Sequence, residues 1–79
     1  MHTQHIGKLE MGIDGCDEYV LITNDEDNLT TQEAEDWLLP RVYRESHRAG
    51  GYFCRHVSTT PVPYRDNQVI AIIHHRYDV

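Results

Sequence analysis

Two runs with strand character open the chain. Leu9, Met11 and Ile13 alternate with charged or glycine positions, which is the period of two that a half-buried strand shows. Residues 19–23 (YVLIT) are rich in β-formers and predict a second strand. Residues 1–6 precede the first run, and we expect them to be disordered.

The residues between these two runs, 14–17 (DGCD), predict a reversal of the chain. A two-residue Asp-Gly turn would place Met11 opposite the charged Glu18. A four-residue loop instead pairs apolar with apolar residues: Met11 with Val20 and Leu9 with Ile22. We therefore expect the longer loop, since register follows the apolar pattern.

A single helix is predicted after an acidic loop at residues 24–28. Thr30 and Glu33 have the spacing of a capping box, in which each side chain bonds the backbone N–H of the other residue. Residues 50–51 (GG) predict the end of this helix. Pro40 lies inside the span and removes a backbone hydrogen bond, so we expect a kink there, or a break with a restart.

The last third of the chain predicts two more strands. Residues 52–57 (YFCRHV) form the third, and residues 61–63 (PVP) mark a loop or an irregular edge, since proline has no N–H for a sheet ladder. Residues 68–75 (QVIAIIHH) are the most apolar run and are expected to be the central strand, buried on both faces. The order β-β-α-β-β predicts an α+β fold, a four-stranded antiparallel sheet with one helix packed across it.

The predicted helix has an apolar arc and an arginine-rich arc. The positions expected to face the sheet are Ala34, Leu38, Leu39, Val42 and Ala49. Arg41, Arg44 and Arg48 fall together on a different arc, and Trp37 falls among them. Arginine and tryptophan are typical of binding hot spots. The alternative is that Pro40 turns Trp37 inward as the largest residue of the core.

Length and composition indicate one small domain over residues 1–79. No stretch has the ~18–20 apolar residues of a membrane span, and the first residues lack the apolar segment of a signal peptide. The two cysteines do not form a disulfide framework. We therefore expect a reduced, cytoplasmic protein that does not associate with membranes.

Charge is distributed unevenly along the chain. Residues 1–40 hold ten acidic residues and one basic residue, whereas residues 41–79 hold three acidic residues and six arginines, for a net charge of −6. An acidic total disfavours a simple nucleic-acid binder. The acidic positions that we expect to contact a partner are Asp14, Asp17, Asp25, Glu26 and Asp27. The alternative is that these acids only form a solvated surface.

Several histidines, with one cysteine, suggest a metal site: His47, Cys54, His56, His74 and His75. Structural zinc takes four closed ligands, usually from paired short spacings, and here only Cys54 and His56 form a short pair, on one face of the third strand. We favour a half-buried histidine cluster and expect no metal or other cofactor. The same pair is the only candidate for a thiol nucleophile. Ser46 and Ser58 lie outside any nucleophile-elbow pattern, so we expect no enzymatic activity.

The segment 34–57 (AEDWLLPRVYRESHRAGGYFCRHV) joins an acidic-capped helix to a strand through a glycine break. In size, acidity and β-β-α-β-β layout, residues 8–77 resemble the small proteins with which phages inhibit host machinery, including anti-CRISPR proteins and a phage inhibitor of RNA polymerase. This group shares no sequence signature, so no binding residues are transferred from it. The resemblance implies function by occlusion, in which a compact domain blocks a nucleic-acid or subunit site on a host complex.

Three function hypotheses follow. The first is an inhibitor that binds a host protein or nucleoprotein complex through the acidic positions and a helical stripe formed by Trp37, Arg41, Arg44 and Arg48. The second is a nucleic-acid-binding module that contacts phosphate through Arg41, Arg44, Arg48 and Arg55, with Tyr52 or Phe53 stacked on bases. The third is a small zinc- or thiol-dependent enzyme. The net charge disfavours the second and the absence of a motif disfavours the third, so we expect the inhibitor.

Overall fold

The computed structural model describes residues 1–49 and 52–77, with side chains described for residues 1–43 and 56–76. Its elements in chain order are β1 (His2–Glu10), a short 3-10 helix (Gly12–Asp14), β2 (Gly15–Thr23), α1 (Thr31–Ala49), β3 (Tyr52–Pro61) and β4 (Gln68–Tyr77). The strands form one antiparallel sheet in the order β1-β2-β4-β3, and α1 packs against one face of it. The predicted α+β fold is confirmed.

The core lies between α1 and the sheet. From α1 it contains Ala34, Leu38 and Val42, all on the predicted apolar arc. The sheet contributes Val20, Ile22, Val57, Val69, Ala71 and Ile73, and the loop before α1 contributes Leu29. Trp37 and Leu39 are partly buried and pack against this cluster, so Trp37 contacts the core while keeping an exposed edge.

β4 lies between β2 and β3, which confirms that it is a central strand. The prediction that it is buried on both faces is wrong. Val69, Ala71 and Ile73 are buried beneath α1, whereas Ile70 and Ile72 on the opposite face are only half-buried. The physical reason is that no helix or strand of the described residues covers this second face.

The start of α1 follows its predicted capping box. The Glu33 N–H donates to Thr30 Oγ1 over 3.1 Å, and the Thr30 N–H donates to Glu33 Oε1 over 3.4 Å. Pro40 lies inside the helix, which continues through it as one element, so the chain does not break there. The predicted glycine stop at residues 50–51 lies outside the described residues. None of the helices in the described part of the chain has the length and apolar character to cross a membrane.

The β1–β2 hairpin differs from its prediction in position and register. β1 begins at His2, so residues 2–6, expected to be disordered, lie in a strand, and residues 2–5 pair with β2. Val20 lies opposite His5, and Ile22 opposite Thr3, so the pairing of apolar with apolar residues is wrong. Asp17, placed in the turn by the sequence analysis, lies within β2.

Two glycines explain this shift of the hairpin. Gly12 and Gly15 have φ values of 66° and 127°, in the left-handed region that glycine adopts at low cost. The Met11 N–H donates to the Gly15 carbonyl over 2.9 Å, which closes the turn before residue 15. The chain therefore reverses over residues 11–15, three residues earlier than the sequence pattern suggested.

Candidate functional site

The sheet face opposite α1, which we call the open face, carries the candidate site. The register and the alternation of side chains place on it Gln4, Gly7 and Leu9 from β1, Asp17, Tyr19 and Leu21 from β2, Ile70, Ile72, His74 and Arg76 from β4, and His56, Ser58 and Thr60 from β3. Among the described residues, no helix or strand packs on this face.

Four apolar side chains form the middle of the open face, and we call them the central strip. Tyr19 lies opposite Ile72, and Leu21 lies opposite Ile70, on the two inner strands β2 and β4. All four are half-buried. The neighbours on the outer strands are small or polar, including Gly7, where a Cβ atom would meet nothing within 4 Å. The central strip is therefore a shallow apolar surface with polar borders.

Three hydrogen-bonded side chains, Ser58, His74 and Asp17, cross β3, β4 and β2 beside the central strip, and we call them the polar array. Ser58 Oγ lies 2.8 Å from His74 Nε2, and His74 Nδ1 lies 3.0 Å from Asp17 Oδ1. Arg76 Nη1 donates to the same Asp17 oxygen over 3.1 Å. The side chains of Asp17 and His74 are each 14% exposed. The hydrogen bonds between these side chains are thus shielded enough from water to hold a fixed geometry.

The protonation of the array follows from the Asp17 carboxylate. Burial raises the pKa of Asp17, but hydrogen bonds from Arg76 and His74, together with the positive charge of Arg76, outweigh it and hold the pKa below its ordinary value. The carboxylate is therefore ionised and can only accept, so the proton of neutral His74 resides on Nδ1. Nε2 is then an acceptor, and the Ser58 hydroxyl donates to it.

His56 stacks on this array. Its ring lies 4.0 Å from the His74 ring, centroid to centroid, at an interplanar angle of 19°. A bulge between Cys54 and His56 pairs Cys54 with His75 but His56 with His74. The extra residue in the bulge interrupts the strand alternation on which the predicted shared face of Cys54 and His56 depends. The side chain of Cys54 itself lies outside the described residues.

A second histidine cluster lies on the helix side of the sheet. The Glu18 carboxylate lies between two imidazole rings: His75 Nε2 is 3.2 Å from Oε1, and His5 Nε2 is 3.3 Å from Oε2. Within the part of the chain whose side chains are described, no group of three or more His, Cys, Asp or Glu residues is arranged to hold a metal ion. The side chains of His47 and Cys54, two of the proposed ligands, lie outside that part.

The two cysteines are separated by a strand. Cys16 and Cys54 both pair with His75, from opposite sides of β4. Their Cα atoms are therefore about two strand spacings, roughly 10 Å, apart. A disulfide spans at most about 7 Å between Cα atoms, so this backbone arrangement does not allow one. Cys16 is buried.

The acidic positions proposed for partner binding are divided between two ends of the sheet. Three of them, Asp25, Glu26 and Asp27, are exposed in the β2–α1 loop. Exposed Asp66 lies beside this loop, because its carbonyl accepts from the Leu29 N–H over 2.8 Å. We call this region the acidic end. Asp14 is exposed at the other end of β2, about 30 Å away, and Asp17 belongs to the polar array.

The proposed arginine stripe is described only at its start. Arg41 is exposed, and its guanidinium carbon lies 3.9 Å above the Trp37 ring, in the geometry of a cation–π contact. The side chains of Arg44, Arg48 and Arg55, and of Tyr52 and Phe53, lie outside the described residues. The participation of those residues in binding stays a prediction.

The association of Ser58, His74 and Asp17 was not predicted from the sequence. These residues come from three strands that are far apart in the sequence, and only the register of β2, β3 and β4 brings them together. The one available signal was the period of two: Ser58 and His74 each lie two positions from another residue of the open face. That period could not place Asp17, which was assigned to a turn.

Comparison with known proteins identifies no relative of this chain. No family model matches it, and neither the curated proteins nor the solved structures contain a significant match. Function is therefore inferred from the open face and its surroundings.

Proposed function

We propose that the protein is a small binding module that inhibits a host protein or nucleoprotein complex by occluding a site on it, in the cytoplasm of the host cell. The observation that carries this proposal is the central strip, Tyr19, Leu21, Ile70 and Ile72, on a sheet face that no described element covers. A contiguous apolar surface of this kind marks an interaction site more often than scattered apolar residues do. Binding alone suffices for this function.

The composition of the open face suits a protein partner. Interfaces between proteins have an apolar centre and a polar rim, and tyrosine is enriched in them. Here Tyr19 and three aliphatic side chains form the centre, and the polar array and Thr60 form part of the rim. The rigid sheet fixes these side chains in advance, which lowers the entropy lost on binding.

The charge beside the open face indicates a basic partner surface. His2 is the first residue of β1, and its Nδ1 lies 2.9 Å from Asp25 Oδ2. The acidic end therefore adjoins the β1 border of the open face. The exposed carboxylates there would complement lysine and arginine side chains and can occupy clefts that otherwise bind phosphate. The layout resemblance to phage inhibitors of host machinery is in keeping with a partner of this kind.

We expect the substitution Ile72→Lys to remove partner binding, because it places a charge at the middle of the central strip. The control is Ile13→Lys, the same change at a side chain that is 87% exposed in the 3-10 helix. Both tagged variants and the unaltered protein are used to capture proteins from nuclease-treated bacterial lysate, and the captured partner is then titrated in purified form. A hot-spot loss of about 2 kcal/mol corresponds to roughly 30-fold weaker binding.

The outcomes of this experiment separate the hypotheses. A stoichiometric partner that binds the unaltered protein and Ile13→Lys, but binds Ile72→Lys at least tenfold more weakly, supports the proposal. Equal binding by both variants contradicts it, and so does capture that disappears on nuclease treatment, which would indicate a nucleic-acid ligand. Circular dichroism checks that Ile72→Lys is folded. Should it unfold, Ile72→Thr keeps the β-branched shape and tests the same contact.

A further inference from the structure

We infer that Ser58 is a nucleophile that accepts acyl groups from carboxylic esters, with His74 as its general base and Asp17 as the residue that orients His74. This activity goes beyond the binding function proposed above and does not depend on it. It rests on the geometry of the polar array, whose three members are contributed by three adjacent strands.

The distances in the array are those that nucleophilic catalysis by serine requires. A serine is activated when a base lies within hydrogen-bond reach and a third group orients that base. Ser58 Oγ is 2.8 Å from His74 Nε2, and His74 Nδ1 is 3.0 Å from Asp17 Oδ1. The two ring nitrogens of His74 thus have the two roles that a serine–histidine–aspartate arrangement assigns to them.

The surroundings of His74 keep its ring in this orientation. Asp17 is held in turn by Arg76, over 3.1 Å, so the carboxylate cannot turn away from the ring. His56 stacks on the His74 ring at 4.0 Å and limits its rotation. Because Asp17 accepts only, the neutral ring presents an unprotonated Nε2 to the Ser58 hydroxyl.

The reaction has two steps, acylation of Ser58 and hydrolysis of the acyl ester. Ser58 Oγ forms a bond to the ester carbonyl carbon while its proton moves to His74 Nε2, and the ester C–O bond then breaks as the alcohol leaves with that proton. The product is an acyl ester on Ser58. A water molecule next gives a proton to His74 Nε2 and attacks the acyl carbon, which releases the carboxylic acid and returns the proton to Ser58 Oγ.

The position of Ser58 indicates the class of ester. Ser58 is half-buried on the open face and lies opposite Ile72, a member of the central strip. An ester with a small acyl group can reach Oγ from solvent, and an apolar leaving group can lie against Ile72 and Tyr19. p-Nitrophenyl acetate has both features and releases a coloured product, so it is the probe that we choose.

The test measures p-nitrophenolate release and locates the acetyl group by peptide mass spectrometry. We expect one acetyl group per chain on Ser58, with release at least tenfold faster than in Ser58→Ala and His74→Gln. A general base usually contributes about 10²–10⁴-fold. Thr59→Ala, which removes the neighbouring hydroxyl on the other face of β3, should leave the rate unchanged.

Two results would overturn the inference. One is release at equal rates by the unaltered protein and Ser58→Ala. The other is an acetyl group found on a lysine or histidine and not on Ser58. Peptide mapping uses the unaltered protein, so it decides the matter even if a substitution in the array prevents folding.

Discussion

The substitution Gly15→Ala is expected to destabilise the fold severely. An added Cβ atom would lie 2.1 Å from the His75 carbonyl oxygen and 2.9 Å from Arg76 Cα, both in the backbone of the central strand β4. Neither atom can move without breaking the β2–β4 ladder. The φ of Gly15 is 127°, which costs an alanine about 1–3 kcal/mol by itself. We expect a total loss of about 3–5 kcal/mol, measured by denaturant unfolding.

Two other glycines serve as matched controls for this prediction. Gly12→Ala has open space for the Cβ atom but a φ of 66°, so only the left-handed strain of about 1–2 kcal/mol applies. Gly7→Ala has open space and no left-handed backbone, so we expect a gain of about 0.5–1 kcal/mol. A Gly15→Ala protein that unfolds at the same denaturant concentration as Gly7→Ala would contradict the β2–β4 packing described above.

The second large effect is expected for Asp17→Ala. This change removes the acceptor of both His74 Nδ1 and Arg76 Nη1, and leaves an arginine that is only 27% exposed without its carboxylate. Loss of a charged acceptor beside shielded donors costs about 2–4 kcal/mol. Asp14→Ala is the control, because Asp14 is an exposed acid that directly precedes β2. It should change the free energy of unfolding by less than about 0.5 kcal/mol.

The contribution of Asp17 should depend on pH. Its pKa in the folded protein lies below the ordinary value of 3.8, so its ionised form stabilises the fold. This stabilisation is complete above the unfolded-state pKa and is lost as the pH falls through the lower folded-state pKa. The difference in stability between the unaltered protein and Asp17→Ala should therefore be constant from pH 5 upward, within ~0.5 kcal/mol, and shrink below about pH 4. A difference that stays constant to pH 2 would contradict the ionised role of Asp17.

Local signals in the sequence predicted the order of the elements but placed the first strand too late in the chain. The element order followed from the apolar runs, and the capping box of Thr30 and Glu33 has the expected hydrogen bonds. The hairpin register could not be predicted in the same way. It is fixed by the left-handed backbone at Gly12 and Gly15 and not by pairing of apolar side chains, and on the exposed strand β1 there is little burial to enforce such pairing.

The candidate site was harder to predict than the fold because it depends on contacts between strands. Asp17, Ser58 and His74 are adjacent only in the register of three strands, and an error of one residue in that register reverses the face of every side chain. The bulge beside His56 causes such a shift, because its extra residue interrupts the alternation expected for Cys54 and His56. The central strip was missed because β4 was expected to be covered on both faces.

The location of the partner on the open face is tested most directly by methyl cross-saturation NMR on the complex with the captured partner. Saturating the partner's protons should reduce the methyl signals of Leu21, Ile70 and Ile72 on the open face. The methyl signals of Leu38 and Val42, on the buried face of α1, should keep their intensity. Loss of signal around Trp37 and Arg41, with the open face unaffected, would contradict the proposed interface and assign binding to the helical stripe.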